Sequence, residues 1–241
     1  MKKLHRGGSN PDGEPLSAGR VEYLEAARQR VRRRRLRRTA IILAVLILVT
    51  LFATGAVGAS IARVKDMVDT VHIALSPAVG WPQQTGLGDL TAVQPMSGSF
   101  VAMDEDACVV YSLGGTRLAG IQSGYARPVL AAGKTRFVLY NRSGTELRVE
   151  SRTQNLYSKT LENSIYLCAM SDTGTLAVAT DSADSTARLT VYTPTMSEQL
   201  HWDMTGTQGT PVRMAFAADS RRLAVAAVTS SAGQLQANLF V

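Results

Sequence analysis

The sequence predicts a mainly β chain preceded by one long apolar helix. Three observations predict it. An uncharged apolar run extends from Thr39 to Ala62. From about residue 94, short β-branched and apolar runs alternate with turn residues. Those runs recur with a period near 40.

Residues 1–17, rich in Gly, Pro and polar groups, read as a disordered cytoplasmic tail. Ser17 can cap a following helix, and Val21, Leu24 and Val31 recur at helical spacing, so 18–38 reads as a basic juxtamembrane helix. The run 39–62 holds 24 residues and no Asp, Glu, Lys, Arg or His. As a helix it is about 36 Å long, enough to cross a hydrocarbon core of about 30 Å. Arg32, Arg33, Arg34, Arg35, Arg37 and Arg38 stand at one mouth, while Arg63 and Lys65 at the other are offset by Asp66 and Asp69. Basic residues stay on the cytoplasmic side, so the chain reads as single-pass in the cell membrane, with its C-terminal part extracytoplasmic. The six arginines are membrane-interface residues, their guanidinium groups placed for lipid phosphate. Ala56-Val57-Gly58 has the small-x-small look of a signal-peptide cleavage site. The apolar run exceeds an h-region of about 7–15 residues, so an uncleaved anchor is expected.

The net charge of +7 divides unevenly. Residues 1–62 hold 12 Lys+Arg against 4 Asp+Glu, a net +8; residues 63–241 hold 14 against 15, a net −1. The basic charge is thus concentrated beside the apolar run, where lipid accounts for it, and nucleic acid is not an expected partner.

Ile61, Val64, Val68, Val71 and Leu75 continue a helical spacing as a stalk over 63–77, stopped at Pro77. His72 belongs to this stalk as a solvated residue. Residues 78–93, with repeated Gly and Pro, read as a linker. From 94 to 241 strands dominate, and one unit recurs: an apolar strand, a polar turn, a second strand. Aligned on Phe137, Leu176 and Leu223, its spacings are 39 and 47; a following strand aligned on Val110, Val149 and Val191 gives 39 and 42. Short strands at this period are the signature of propeller blades of four strands each. The turns at Asp172–Gly174 and Asp219 suit tight connections, and the small residues of Leu-Ala-Val-Ala suit strands packed on both faces. No Trp-Asp ending is convincing, so the expected fold is a degenerate, WD40-like partial β-propeller of three to four blades. The 148 residues from 94 to 241 fall short of a closed ring. The expectation is an N-terminal part of a longer protein, whose last sheet exposes some of Leu235, Leu239 and Phe240.

The layout resembles an uncharacterised family of single-pass, membrane-anchored β-propeller proteins, a domain of unknown function from Gram-positive, Clostridia-like bacteria. The features that carry it are a basic tail, one span, a short stalk, Gly80-Trp81-Pro82 and degenerate blades, over roughly residues 39–241. The resemblance implies no activity and no catalytic residues.

The residues themselves supply no catalytic set. The only histidines are His5, His72 and His201, and no G-x-S-x-G elbow accompanies them. Asp104-Glu105-Asp106 lacks the spacing of a calcium loop and reads as a hairpin turn, as do Gly114-Gly115 and Ser143-Gly144. Asp181 and Asp184 read as a polar loop. Cys108 and Cys168 lie in apolar strand runs, where a buried hydrophobe is the commoner role than a disulfide. No metal or cofactor is expected. The expected function is a non-enzymatic, membrane-anchored scaffold for a protein or cell-envelope ligand. The alternatives are a hydrolase of envelope polymers completed by further blades, or a transmembrane sensor.

Overall fold

The computed structural model describes residues 42–43 and 56–241, with side chains at Ile42 and Leu43 and from Val64 onward. The expected tail, the juxtamembrane helix with its six interface arginines, and most of the expected span lie outside the described residues. Among the described residues no helix is long and apolar enough to cross a membrane. Residues 58–241 form one compact unit.

Helix α1 (Ala56–Leu75) opens this part of the chain. It stops where Ser76 folds back, its amide donating to Ile73 O and its hydroxyl to His72 O, and where Pro77 lacks the amide to continue. Fifteen strands follow. Sheet 1 contains β1 (Ala92–Met96), β2 (Ser99–Met103), β3 (Ala107–Ser112) and β4 (Arg117–Gln122). Sheet 2 contains β5 (Pro128–Ala132), β6 (Arg136–Asn141), β7 (Glu146–Ser151) and β8 (Asn155–Thr160). Sheet 3 contains β9 (Ile165–Met170), β10 (Leu176–Thr180), β11 (Ala187–Tyr192) and β12 (Glu198–Met204). Sheet 4 contains β13 (Thr210–Phe216), β14 (Leu223–Ser231) and β15 (Gln234–Phe240). Each sheet is an antiparallel meander in sequence order. The first strands touch in series, β1 with β5, β5 with β9, and β9 with β13. The sheets therefore stand side by side, as blades do, and not as two layers of one sandwich.

The core follows from strand alternation. In β6, Phe137 and Leu139 face sheet 1 and pack with Val101, Met103, Cys108 and Val110. The intervening Val138 and Tyr140 face sheet 3 and pack with Cys168, Leu176 and Val178. In β10, Ala177 and Ala179 turn the other way, onto Val225 and Ala227 of sheet 4. Middle strands are thus apolar on both faces, and alanines let sheets 3 and 4 approach closely. Both repeat anchors land as their spacing requires. Phe137, Leu176 and Leu223 lie in the second strands, and Val110, Val149 and Val191 in the third. Leu176, Val178 and Val225 are buried and Leu223 is half-buried. The thiols of Cys108 and Cys168 are free and buried in different clusters, so they do not pair.

Residues 76–91 are strapped across sheet 1. Thr116 Oγ1 donates to Pro77 O (2.6 Å), Gly80 N to Gly114 O (2.9 Å), Tyr111 Oη to Gln84 O (3.3 Å) and Gly88 N to Asp104 Oδ2 (2.8 Å). Trp81 packs on Phe100 and Tyr111, with ring centroids 5.7 and 5.6 Å away, and its indole N–H donates to Leu113 O. Gly115 permits the closest approach: at φ +85°, a Cβ there would fall 2.3 Å from Gly80 O. On the face of sheet 1 turned away from sheet 2, Ala102, Val109 and Tyr111 are buried, while Val93 beside Ala102 is exposed.

Candidate functional site

Two places concentrate polar chemistry or open apolar surface. The first joins α1 to the turns of the sheets. Arg136 opens β6 and Arg152 follows β7; their side chains are 2% and 0% exposed. Arg136 Nε donates to both carboxylate oxygens of Asp66 (3.1 Å) and Nη1 to Pro194 O (2.7 Å). Arg152 Nη1 donates to Ser97 O (2.8 Å) and Nη2 to Thr70 Oγ1 (2.7 Å) and Asp66 O (3.2 Å). Its Nε faces Asp69 Oδ2 at 3.5 Å. Thr135 and Thr153 donate to Asp66 and Asp69. Gly174, at φ +86°, leaves room for Arg136, since a Cβ there would meet its Cδ at 2.9 Å. Buried charges persist only when paired and hydrogen-bonded, and here each cation has a carboxylate of α1 and carbonyls of the turns.

The second place is a groove of ≈ 1040 Å³ between the outer strands of sheets 3 and 4. Trp202 of β12 and Phe240 of β15 meet edge to face, centroids 5.1 Å apart at 82°. Leu189, Leu200, Leu223 and Leu239 extend this apolar floor. The β13–β14 turn supplies Arg221 and Arg222 at the rim. Asp219 accepts from the Arg221 amide, which with the nearby Arg222 holds its carboxyl below the usual range. It is therefore ionised near neutral pH and pairs with Arg222 Nη2 at 3.3 Å. Arg221 has no ion pair among the described residues, so the rim carries net positive charge. Among the described residues β15 is hydrogen-bonded only to β14, and its other edge has no strand partner there. The lining contains no carboxylate, histidine or cysteine. What it offers a ligand is apolar contact, a strand edge and cationic charge.

The other sequence candidates serve local structure. Asp104 Oδ1 accepts from the amides of Asp106 and Ala107, which makes it the cap of the β2–β3 hairpin. Asp181 accepts from Tyr166 Oη at 2.7 Å. His201 is exposed and pairs with Glu198 at 2.9 Å. Gly114-Gly115 and Ser143-Gly144 lie in hairpin turns. Among the described residues, no group of three or more His, Cys, Asp or Glu side chains could hold a metal ion.

Residues 79–241 match a family described as a family of unknown function, DUF5711. The chain belongs to this family. No curated protein matches it. Parts of three solved structures are similar. Hsv2 of Kluyveromyces lactis is 12% identical, over 56% of this chain and 45% of its own, with a TM-score of 0.45. BamB from Moraxella catarrhalis is 10% identical, over 56% and 39%, at 0.43. The Neurospora crassa Pan2 WD40 domain is 8% identical, over 63% and 48%, at 0.41. This DUF5711 chain thus spans less than half the length of each.

Proposed function

We propose that the chain is a membrane-anchored, extracytoplasmic interaction scaffold that captures an extended protein segment in the groove between sheets 3 and 4. The anchor is the apolar run 39–62, oriented by Arg32–Arg35, Arg37 and Arg38. The observation that carries the binding role is the groove itself, which sets an aromatic pair beside a free strand edge and a cationic rim. An extended segment can pair its backbone with β15, seat an apolar side chain against Trp202 and Phe240, and place acidic residues at Arg221 and Arg222.

The test uses Trp202 as reporter in the Trp81→Phe chain, which leaves it the only tryptophan. A short Val/Leu-rich peptide flanked by aspartates should shift its fluorescence saturably. The same peptide flanked by lysines should not, and Arg221→Glu with Arg222→Glu should abolish the response. Equal responses to both peptides, or none to either, would refute the reading.

A further inference from the structure

Helix α1 presents its polar side to the sheets and its apolar side outward. Asp66, Asp69 and Thr70 meet Arg136, Arg152 and Thr153, and Ile73 is buried. Val64, Met67, Val68, Val71 and Leu75 are 49–79% exposed. A helix on a globular surface ordinarily does the reverse.

The outward residues Val64, Val68, Val71 and Leu75 continue a sequence spacing that begins at Ile61. Ile61, Val64, Val68, Val71 and Leu75 follow one another at intervals of 3, 4, 3 and 4. That is the 3.5-residue period of a seam held against another helix through supercoiling. In heptad terms Ile61, Val68 and Leu75 occupy a, and Val64 and Val71 occupy d. The residues held by the sheets fall on the opposite side: Asp66 and Ile73 at f, Asp69 at b, Thr70 at c. The helix divides its surface between the sheets, which take b, c and f, and a seam at a and d that nothing among the described residues covers.

We propose that this seam is a self-association site, where α1 of one copy packs in parallel on α1 of a second copy. The charges suit that partner. The e positions hold Lys65 and His72, and the g positions hold Ser60, Met67 and Ala74. A parallel pair sets Lys65 opposite Ser60 of the second copy and His72 opposite Met67, with no like-charged contact. The seam from Ile61 to Leu75 is about 20 Å long, so the pairing is weak in dilute solution and depends on concentration. The inference is independent of what the groove binds.

The experiment uses the full chain in phosphatidylcholine vesicles at a high lipid-to-protein ratio, oxidised with copper phenanthroline. The two native thiols are buried and stay in place. Disulfide-linked dimers are expected for Val64→Cys, Val68→Cys and Val71→Cys, and not for the exposed control Leu113→Cys. Adding Val68→Asp to the Val71→Cys chain should lower dimer yield about tenfold or more, because a carboxylate in the seam loses its hydration. Thermal unfolding of the sheets should not change, since Val68 is 63% exposed. Equal cross-linking at Leu113 would show random collision. Absence of dimer at every seam position would show that lipid or a different protein covers the stripe. Either result overturns the proposal.

Discussion

Arg152 Nε and Asp69 Oδ2 face each other at 3.5 Å, both buried and neither with a hydrogen-bond partner of its own among the described residues. Their attraction is coulombic, while the rest of each side chain is held by Ser97, Thr70 and Thr153. Removing the acid strands a buried cation. Asp69→Ala should therefore cost about 3–5 kcal/mol in urea unfolding. Arg152→Met should cost less, because Asp69 keeps the Thr153 hydroxyl on its Oδ1 and its side chain is 11% exposed. Equal losses would mean that packing of the arginine stem, and not charge, holds the helix.

Gly115→Ala tests the strap over sheet 1. The new methyl meets Gly80 O and requires a positive φ. A loss of more than about 1 kcal/mol is expected, with a red shift of Trp81 emission as the indole leaves Phe100 and Tyr111. Unchanged stability and emission would show that residues 76–91 move away at no cost.

The buried thiols should be inert. Burial, then the nearby Glu150, pushes Cys108 up to about 12, and burial raises Cys168 well above the ordinary thiol range. Neither forms thiolate near pH 8. A thiol reagent at that pH should label no cysteine in the native chain and two after denaturation. Labelling of the native chain would show that the sheets open.

The acid limb of the stability curve should report Asp104. Its carboxyl is held below 3.8 by the amides of Gly88 and Ala107. The native state therefore binds fewer protons than the unfolded chain below that value. The stabilisation is complete above the unfolded pKa and is lost as pH falls through the native one. Asp104→Asn should lower stability at pH 7 and flatten the curve below pH 4. A parallel downward offset at every pH would assign the loss to geometry alone.

The legible part of the fold was the part built by alternation. Second strands such as β6 and β10 are apolar on both faces, so Phe137 and Leu176 repeat visibly. Fourth strands such as β4 and β8 are half-solvated and mix polar with apolar residues, which leaves weak period. The junction was hidden because an arginine in a turn ordinarily points to water. Only the fold places Arg136 and Arg152 over a helix far back in the chain. The one local signal was Asp66 and Asp69, acidic residues sharing a helix side opposite the Val64–Val68–Val71 stripe. Trp202 and Phe240 carry no signal, since their contact depends on sheets 3 and 4 standing together.

The strap of residues 76–91 gives the row of sheets a direction. At one end Ala102, Val109 and Tyr111 lie beneath the strap, while Val93 and Leu113 stay exposed. The other end presents Leu235 and Leu239 to whatever approaches. Successive sheets pack face to face, and over the middle of sheet 1 that kind of contact is already taken by the chain's own strap. A partner that comes to the outer face of sheet 1 meets the chain's own strap before it meets Ala102, Val109 or Tyr111, whereas one that comes to sheet 4 meets bare leucines.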